Sequence, residues 1–209
     1  TSEGDLWSVS IKGGTAVRLT THQGEERFAK ISPNSEKIAF SGQEDGQDDV
    51  FTMSINGGAP ERLTYHPGGD QVIGWKSDNE ILFRSRRDIP FRGSRVYTIN
   101  SEGGFPEFIP LTKATNISFE PDGKRIAFNR YSREFRKWKR YKGGWAQDIW
   151  VGDIETDEFS NITDAEKIND WDGTDAFPMW HNDGRIYYLT DRDGRANIWS
   201  MLPNGADMK

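Results

Sequence analysis

Two basic stretches contain the residues of this chain that are best suited to binding an anionic group. The first is the pair Arg86 and Arg87, and the second lies between Asn129 and Trp145. The second stretch holds these cationic side chains: Arg130, Arg133, Arg136, Lys137, Lys139, Arg140 and Lys142. Guanidinium and ammonium groups donate charge-assisted hydrogen bonds to carboxylates. Contacts to a peptide carboxylate or to a partner domain are therefore predicted at Arg86, Arg87, Arg136, Lys137, Lys139, Arg140 and Lys142.

The basic stretch also contains aromatic residues, which leaves three interpretations open. Its aromatic residues are Tyr131, Phe135, Trp138, Tyr141 and Trp145. The stretch is either a long hairpin whose rings pack on a neighbouring sheet while the cations stay solvated, or a docking surface for a partner. In the third interpretation, nucleic-acid bases stack on the rings. The net charge of −6 disfavours this, because nonspecific nucleic-acid binding requires a basic face. We expect no nucleic-acid partner.

The other residues that commonly support catalysis or metal binding do not form a group in this sequence. His22 and His66 follow equivalent Leu-Thr segments one repeat apart, and His181 lies in another turn. That separation is too large for a shared metal ion or a Ser-His-Asp triad. The lack of cysteine excludes disulfides, thiolate nucleophiles and cysteine zinc sites. Glu44-Asp45-Gly46 and Asp191-Arg192-Asp193-Gly194 lack the ligand alternation of a calcium loop and predict hairpin turns. We expect no catalytic residue, cofactor or metal site in this chain.

The elements that carry the two basic stretches belong to a repeat. An aliphatic–aromatic pair recurs at intervals of 44 to 53 residues, at Leu6-Trp7, Val50-Phe51, Val96-Tyr97, Ile149-Trp150 and Ile198-Trp199. The first four pairs are each followed by a short segment that ends in threonine: Leu19-Thr20, Leu63-Thr64, Leu111-Thr112 and Ile162-Thr163. A period of this length, with four strand-like pieces in each copy, is typical of a β-propeller. The aromatic member of each pair is predicted to pack between blades.

The repeat sets the predicted blade boundaries. We expect a single all-β propeller domain with almost no helix. Its complete blades are predicted at 26–64, 70–112 and 115–163, and its partial blades at 1–20 and 175–209. The strands of the first complete blade are expected at 27–31, 37–41, 49–54 and 60–64, separated by turns rich in Gly, Pro and Asn. Both basic stretches fall between the second and third strands of their blades.

Composition narrows the class of protein further. Apolar residues make up 34% of the chain, and no run of about 18 apolar residues occurs. We therefore expect no membrane-spanning segment. The opening Thr1-Ser2-Glu3-Gly4 has neither the basic start nor the apolar stretch of a signal peptide. Because the first copy of the repeat begins at its third strand, we expect the chain to be part of a longer protein.

Several sequence runs resemble the amino-terminal propeller of tricorn-type proteases, and together they extend over essentially the whole chain. The most specific is Trp138-Lys139-Arg140-Tyr141-Lys142-Gly143-Gly144. The others include Asp5-Leu6-Trp7-Ser8-Val9, Arg62-Leu63-Thr64-Tyr65-His66-Pro67-Gly68, Gln147-Asp148-Ile149-Trp150, and Tyr188-Leu189-Thr190-Asp191-Arg192-Asp193-Gly194. The Pro-Asp-Gly type of strand turn is less specific, because Tol-system propellers and prolyl-oligopeptidase relatives also contain it.

The resemblance implies a six-bladed propeller of which this chain forms about two-thirds. It also implies a non-catalytic role, as a scaffold and gated passage for peptides that reach a serine-peptidase core elsewhere in the parent chain. The implied partners are the rest of the parent protease and peptide substrates. The parent is expected to be a cytoplasmic homo-oligomer. The resemblance implies that basic propeller residues hold a substrate carboxylate. Arg86-Arg87 is the candidate pair in this chain, while the loop after Leu63-Thr64 contains no arginine pair.

Two other functions remain open from the sequence. The chain could be a free-standing propeller of the Tol-system type, which binds a protein partner in the periplasm or outside the cell. It could also be the propeller lid of a prolyl-oligopeptidase relative, which would require an α/β-hydrolase domain. The continuation of the reading frame distinguishes these alternatives, because each requires a different neighbouring segment.

Overall fold

The computed structural model describes residues 1–89, 93–131, 141–164, 171 and 173–209. These residues form strands and turns and contain no helix, so the all-β prediction is confirmed. None of the described segments provides a helix that is long and apolar enough to cross a bilayer. The strands divide between two compact units, the first with strands β1 to β10 and the second with strands β11 to β17.

The first unit consists of antiparallel sheets in which each strand pairs with the next along the chain. A two-stranded sheet is formed by β1 (Trp7–Ser8) and β2 (Val17–Arg18). The next sheet contains β3 (Glu26–Ile31), β4 (Lys37–Gly42), β5 (Asp49–Ser54) and β6 (Glu61–Arg62). The last contains β7 (Asp70–Trp75), β8 (Glu80–Ser85), β9 (Arg95–Asn100) and β10 (Glu107–Phe108). The first strands of the two four-stranded sheets, β3 and β7, contact each other.

The second unit repeats this plan. One sheet contains β11 (Asn116–Phe119), β12 (Arg125–Asn129), β13 (Ile149–Asp153) and β14 (Glu158–Asn161). The other contains β15 (Asp175–Trp180), β16 (Ile186–Thr190) and β17 (Asn197–Met201). Its outer edge is extended by Lys209, which exchanges two backbone hydrogen bonds with Ser200, at 2.8 and 3.0 Å. The first strands, β11 and β15, again contact each other.

The recurring Leu-Thr segment is held in place by a set of largely buried hydrogen bonds. Arg62 Nη2 lies 2.7 Å from Asp49 Oδ2, and its Nε donates to the carbonyl oxygen of Thr64 at 3.0 Å. Thr64 Oγ1 accepts the backbone N–H of Val50 at 2.9 Å. These bonds hold the short fourth strand against the third, where only two residue pairs form the ladder. A buried carboxylate is retained at low cost only when it is paired in this way.

Side chains also connect one sheet to the first strand of the next. In the first unit, Ser41 Oγ donates to the carbonyl oxygen of Asp70 at 3.1 Å and accepts the N–H of Val72 at 2.9 Å. In the second unit, Asn129 Nδ2 donates to the carbonyl oxygen of Asp175 at 3.0 Å, and its Oδ1 accepts the N–H of Phe177 at 3.0 Å. Both contacts lie at register shifts of β7 and β15, where a bulge removes backbone groups from the ladder.

The predicted packing of the recurring aromatic residues needs a partial correction. Phe51 and Tyr97 are buried and stack on Phe40 and Phe83 of the paired strand. Trp7, by contrast, is 39% exposed. Successive residues of an extended chain face opposite sides, and it is Leu6 that enters the core, beside Phe40 and Phe51. Of the other two, Trp199 packs on the edge of a core cluster, and Trp150 is half-buried.

Candidate functional site

The two arginines of the predicted pair have different surroundings. Arg87 forms an ion pair with Asp70, the first residue of β7, and its side chain is 11% exposed. Its guanidinium carbon lies 5.3 Å from the ring centroids of both Phe83 and Tyr97. Its Nε donates to Ser85 Oγ at 3.1 Å. A guanidinium stacked on two rings and paired with a buried carboxylate is held in place. Its geometry is therefore that of a structural group.

Arg86, directly before it, is exposed. Among the residues that the structure describes, none makes a hydrogen bond or an ion pair with the Arg86 side chain. It lies in the turn after β8, beside the fixed Arg87. An exposed guanidinium on a turn can approach a carboxylate without first breaking an internal contact. Of the two predicted anchors, Arg86 is the one with its donors available.

The arrangement around Arg87 recurs in the second unit, at an arginine that the sequence analysis did not identify as a candidate. Arg192 Nη2 lies 3.4 Å from both carboxylate oxygens of Asp175, the first residue of β15. Its guanidinium carbon lies 4.8 Å from the ring of Trp199. Burial raises the pKa of Asp175 from 3.8 to about 6, against the opposing effects of Thr190 and Arg192. A signal was present, since both arginines follow their aspartate by 17 residues.

Only part of the second basic stretch lies within the described residues. Arg136, Lys137, Lys139 and Arg140 fall outside them, so their predicted contacts stay predictions. The remaining candidate, Lys142, is exposed, and its Nζ lies 4.5 Å from the ring centroid of Trp171.

The described flanks of this stretch alternate cations with rings. Lys113 Nζ lies 4.8 Å from the ring of Tyr131, which in turn lies 5.6 Å from the ring of Trp145. Arg130 lies over Trp150 at 4.8 Å. Cation–π contacts of this kind hold a positive charge at the surface while covering apolar rings. We name Lys113, Arg130, Tyr131, Lys142, Trp145, Trp150 and Trp171 the basic–aromatic surface.

The histidines are used in turns, as the sequence predicts. His22 Nδ1 accepts the N–H of Gly24 at 3.0 Å, and His66 Nδ1 accepts that of Gly68 at 2.9 Å. His181 Nδ1 makes the equivalent contact to Asp183 at 3.3 Å. Each imidazole therefore closes its own turn two residues ahead. Within the described part of the chain, no three His, Asp or Glu side chains are placed to hold a metal ion.

Comparison with known proteins assigns these sheets to a family. The family described as the tricorn protease N-terminal beta propeller domain matches residues 1–209. This chain belongs to that family. The sheets of the two units are accordingly propeller blades, and the resemblance inferred from the sequence runs is confirmed.

Individual relatives agree with this assignment. The tricorn protease homolog of Saccharolobus solfataricus is 30% identical over 216 residues, which is all of this propeller chain and 19% of that protein. The crystal structure of the tricorn protease superposes with a TM-score of 0.82 at 25% identity, over 99% of this chain and 20% of that one. A TolB structure from Agrobacterium tumefaciens gives a TM-score of 0.75 at 19% identity, over 100% of this chain and 74% of that one. This likeness shows the shared fold alone. The propeller chain thus spans about one fifth of the length of these two tricorn proteins.

Proposed function

We propose that this chain is a non-catalytic propeller segment of a tricorn-like protease. In this role it is a scaffold and gated passage for peptides on their way to a serine-peptidase core elsewhere in the parent chain. The observation that carries the proposal is the family match over all 209 residues, to relatives about five times as long. The turn roles of His22, His66 and His181 support it, because each imidazole is already engaged by a backbone N–H.

The proposal extends to the ring and to the assembly. The blades described above would belong to a six-bladed ring, to which this chain contributes about two-thirds. The complete protein would form a homo-oligomer in the cytoplasm, where its peptide substrates arise. Arg86 would contact the carboxylate of a passing peptide, and the basic–aromatic surface would contact the rest of the parent protease.

The proposal is tested by separating this chain from its parent. The purified chain is expected to cleave no chromogenic peptide, whereas the complete reading frame is expected to encode a serine-peptidase segment and to hydrolyse peptides. Hydrolysis by the isolated chain that survives repurification would show that the non-catalytic assignment is wrong. A native gene that stops shortly after Lys209, with no partner chain that carries a serine-peptidase core, would contradict the protease proposal.

A second function, that of a free-standing Tol-like propeller, is favoured only by the TolB likeness, which concerns the fold. It predicts export to the periplasm and capture of a protein partner by the chain alone. Cell fractionation of the native protein separates the two proposals, because the first expects it in the cytoplasm and the second outside it.

A further inference from the structure

Numbered along the chain, the second blade contains β3 to β6 and the third blade contains β7 to β10. The second blade contains most of the arginine site that Arg87 fills in the third blade. In both blades an acidic residue begins the first strand: Glu26 pairs with Gly42 across the ladder, as Asp70 pairs with Ser85. In both blades the second and third strands contribute two aromatic rings that stack on each other. The rings of Phe40 and Phe51 are 5.5 Å apart at an interplanar angle of 17°. Those of Phe83 and Tyr97, which hold Arg87, are 5.6 Å apart at 22°.

The arginine itself is missing from the second blade. Arg87 lies two residues after Ser85, and the residue two after Gly42 is Glu44. The sequence position that corresponds to Arg87 therefore carries a carboxylate, and Glu44 lines the adjoining cavity. Gly42 also replaces the hydroxyl that accepts a hydrogen bond from Arg87. A methyl group at Gly42 would lie 3.0 Å from the Phe51 ring, so a side chain at this position would crowd that ring. Phe40 and Phe51 are themselves nearly fully buried.

A cavity of about 370 Å³ occupies this place. Its lining includes Phe40 and Phe51 together with the acidic and polar residues Glu26, Glu44, Thr20 and His22. The volume is within the range of about 300–1,000 Å³ that is typical of ligand pockets. Its chemistry combines aromatic faces with two carboxylates, which matches an organic cation.

Glu26 is the second observation that indicates a ligand. It is 4% exposed, and its hydrogen-bond partner is Thr20, whose Oγ1 donates to Oε2 at 2.7 Å. No cation of the described chain pairs with Glu26; the nearby Arg18 is engaged with Asp5 at 2.5 Å. A buried carboxylate without a cation is costly. Burial raises the pKa of Glu26, an effect that Thr20 opposes, and a bound cation would oppose it further.

We propose that this cavity binds the side chain of an arginine supplied by a ligand. The guanidinium group takes the place that Arg87 has in the third blade. Glu26 accepts its hydrogen bonds as Asp70 does, the Phe40 and Phe51 rings receive its flat face, and Glu44 adds a second carboxylate. The planar fork of arginine fits this arrangement better than the ammonium group of lysine. The proposal goes beyond the proposed function, because it holds or fails whether or not a peptidase core follows.

The test is an NMR titration of the chain with acetyl-Gly-Arg-Gly-amide and with the matched citrulline peptide, which has the same shape without the charge. The arginine peptide is expected to shift the amide signals of Gly42 and His22 saturably. The citrulline peptide is expected to bind at least about 10-fold more weakly, because it loses a charge-assisted contact. Equal binding of the two peptides, or no saturable shift with arginine, would overturn the proposal.

Two variants locate the site. Glu26→Gln is expected to weaken arginine binding about 10-fold. Its control is Glu25→Gln, an exposed neighbour that removes the same charge outside the cavity lining and should bind as the unmodified chain does. Glu44→Arg supplies the arginine from within, so it is expected to abolish peptide binding and to raise the melting temperature. Unchanged binding by Glu44→Arg, or equal affinities for the two glutamine variants, would contradict the site.

Discussion

At the scale of single residues, the same type of side chain serves different purposes according to what surrounds it. Arg87 and Arg192 are fixed by a buried aspartate and by aromatic rings, whereas Arg86 projects from the same turn as Arg87 into solvent. The aspartates differ as well. Burial raises the pKa of Asp175 to about 6, and the nearby carboxylate of Asp148 adds to this effect.

Asp175 is predicted to make stability depend on pH. Between about pH 4 and 6 the unfolded chain has lost the proton that folded Asp175 still retains, so its contribution to stability falls as the pH rises through this window. The total loss is expected to be about 3 kcal/mol. Urea unfolding at a series of pH values measures it, as the difference between the unmodified chain and Asp175→Asn.

The control for this experiment is Asp193→Asn, which changes an exposed aspartate in the turn between β16 and β17. It should keep the pH dependence of the unmodified chain. If Asp175→Asn also kept that dependence, Asp175 would not be its source.

At the scale of strands, the blades are joined by side chains that reach the bulged first strand of the next sheet. Phe177 lies in such a bulge with a φ of 54°, a conformation that costs a bulky residue energy. Its N–H is removed from the ladder and is accepted by Asn129 Oδ1. The other end of the Asn129 amide donates to the carbonyl oxygens of Asp148 and Asp175. One buried side chain therefore replaces several backbone bonds.

Asn129→Ala is expected to destabilise the chain by about 3 kcal/mol, because it leaves buried backbone groups without partners. Chemical denaturation measures the loss, and hydrogen exchange should show faster exchange of the Phe177 amide. Asn197→Ala, at an exposed position of β17, is the matched control and should cost less than about 0.5 kcal/mol. Equal losses for the two variants would show that the Asn129 contact between sheets does not contribute to the free energy of unfolding.

At the level of the whole molecule, this chain belongs to the tricorn N-terminal propeller family, and the tricorn protease homologs that it matches over its whole length are about five times as long. The proposed contribution to peptide processing can be measured only in the complete parent protein. There the exposed Arg86 is proposed to meet the carboxylate of a peptide, while Arg87 maintains the turn by pairing with Asp70.

Arg86→Ala in the parent protease is expected to raise KM about 10-fold for peptides with a free terminal carboxylate, since one charge-assisted contact is lost. Peptides with an amidated end should be unaffected. Arg195→Ala, another exposed arginine in a turn, serves as the control and should change neither KM. An equal effect on both classes of peptide would mean that Arg86 does not read the carboxylate.

The repeat, the strand class and the family could all be predicted from the sequence alone. Asp49–Ser54 was predicted to the residue, and the other strands of that blade to within one or two residues. The turn roles of the histidines followed as well. These features are local, because hairpin turns and alternating apolar residues fix their own neighbourhood.

The surroundings of each side chain, in contrast, depend on the tertiary structure. In the folded chain Trp7 is exposed and Leu6 is buried, and Arg87 is paired with Asp70 whereas Arg86 is exposed. Asp175 is paired with Arg192, and Glu26 lines a cavity. The partners of these groups lie on other strands, and a shift of register by one residue would exchange them. Local sequence cannot fix such a choice, because strand register and the packing of one sheet on the next arise only when the whole unit assembles.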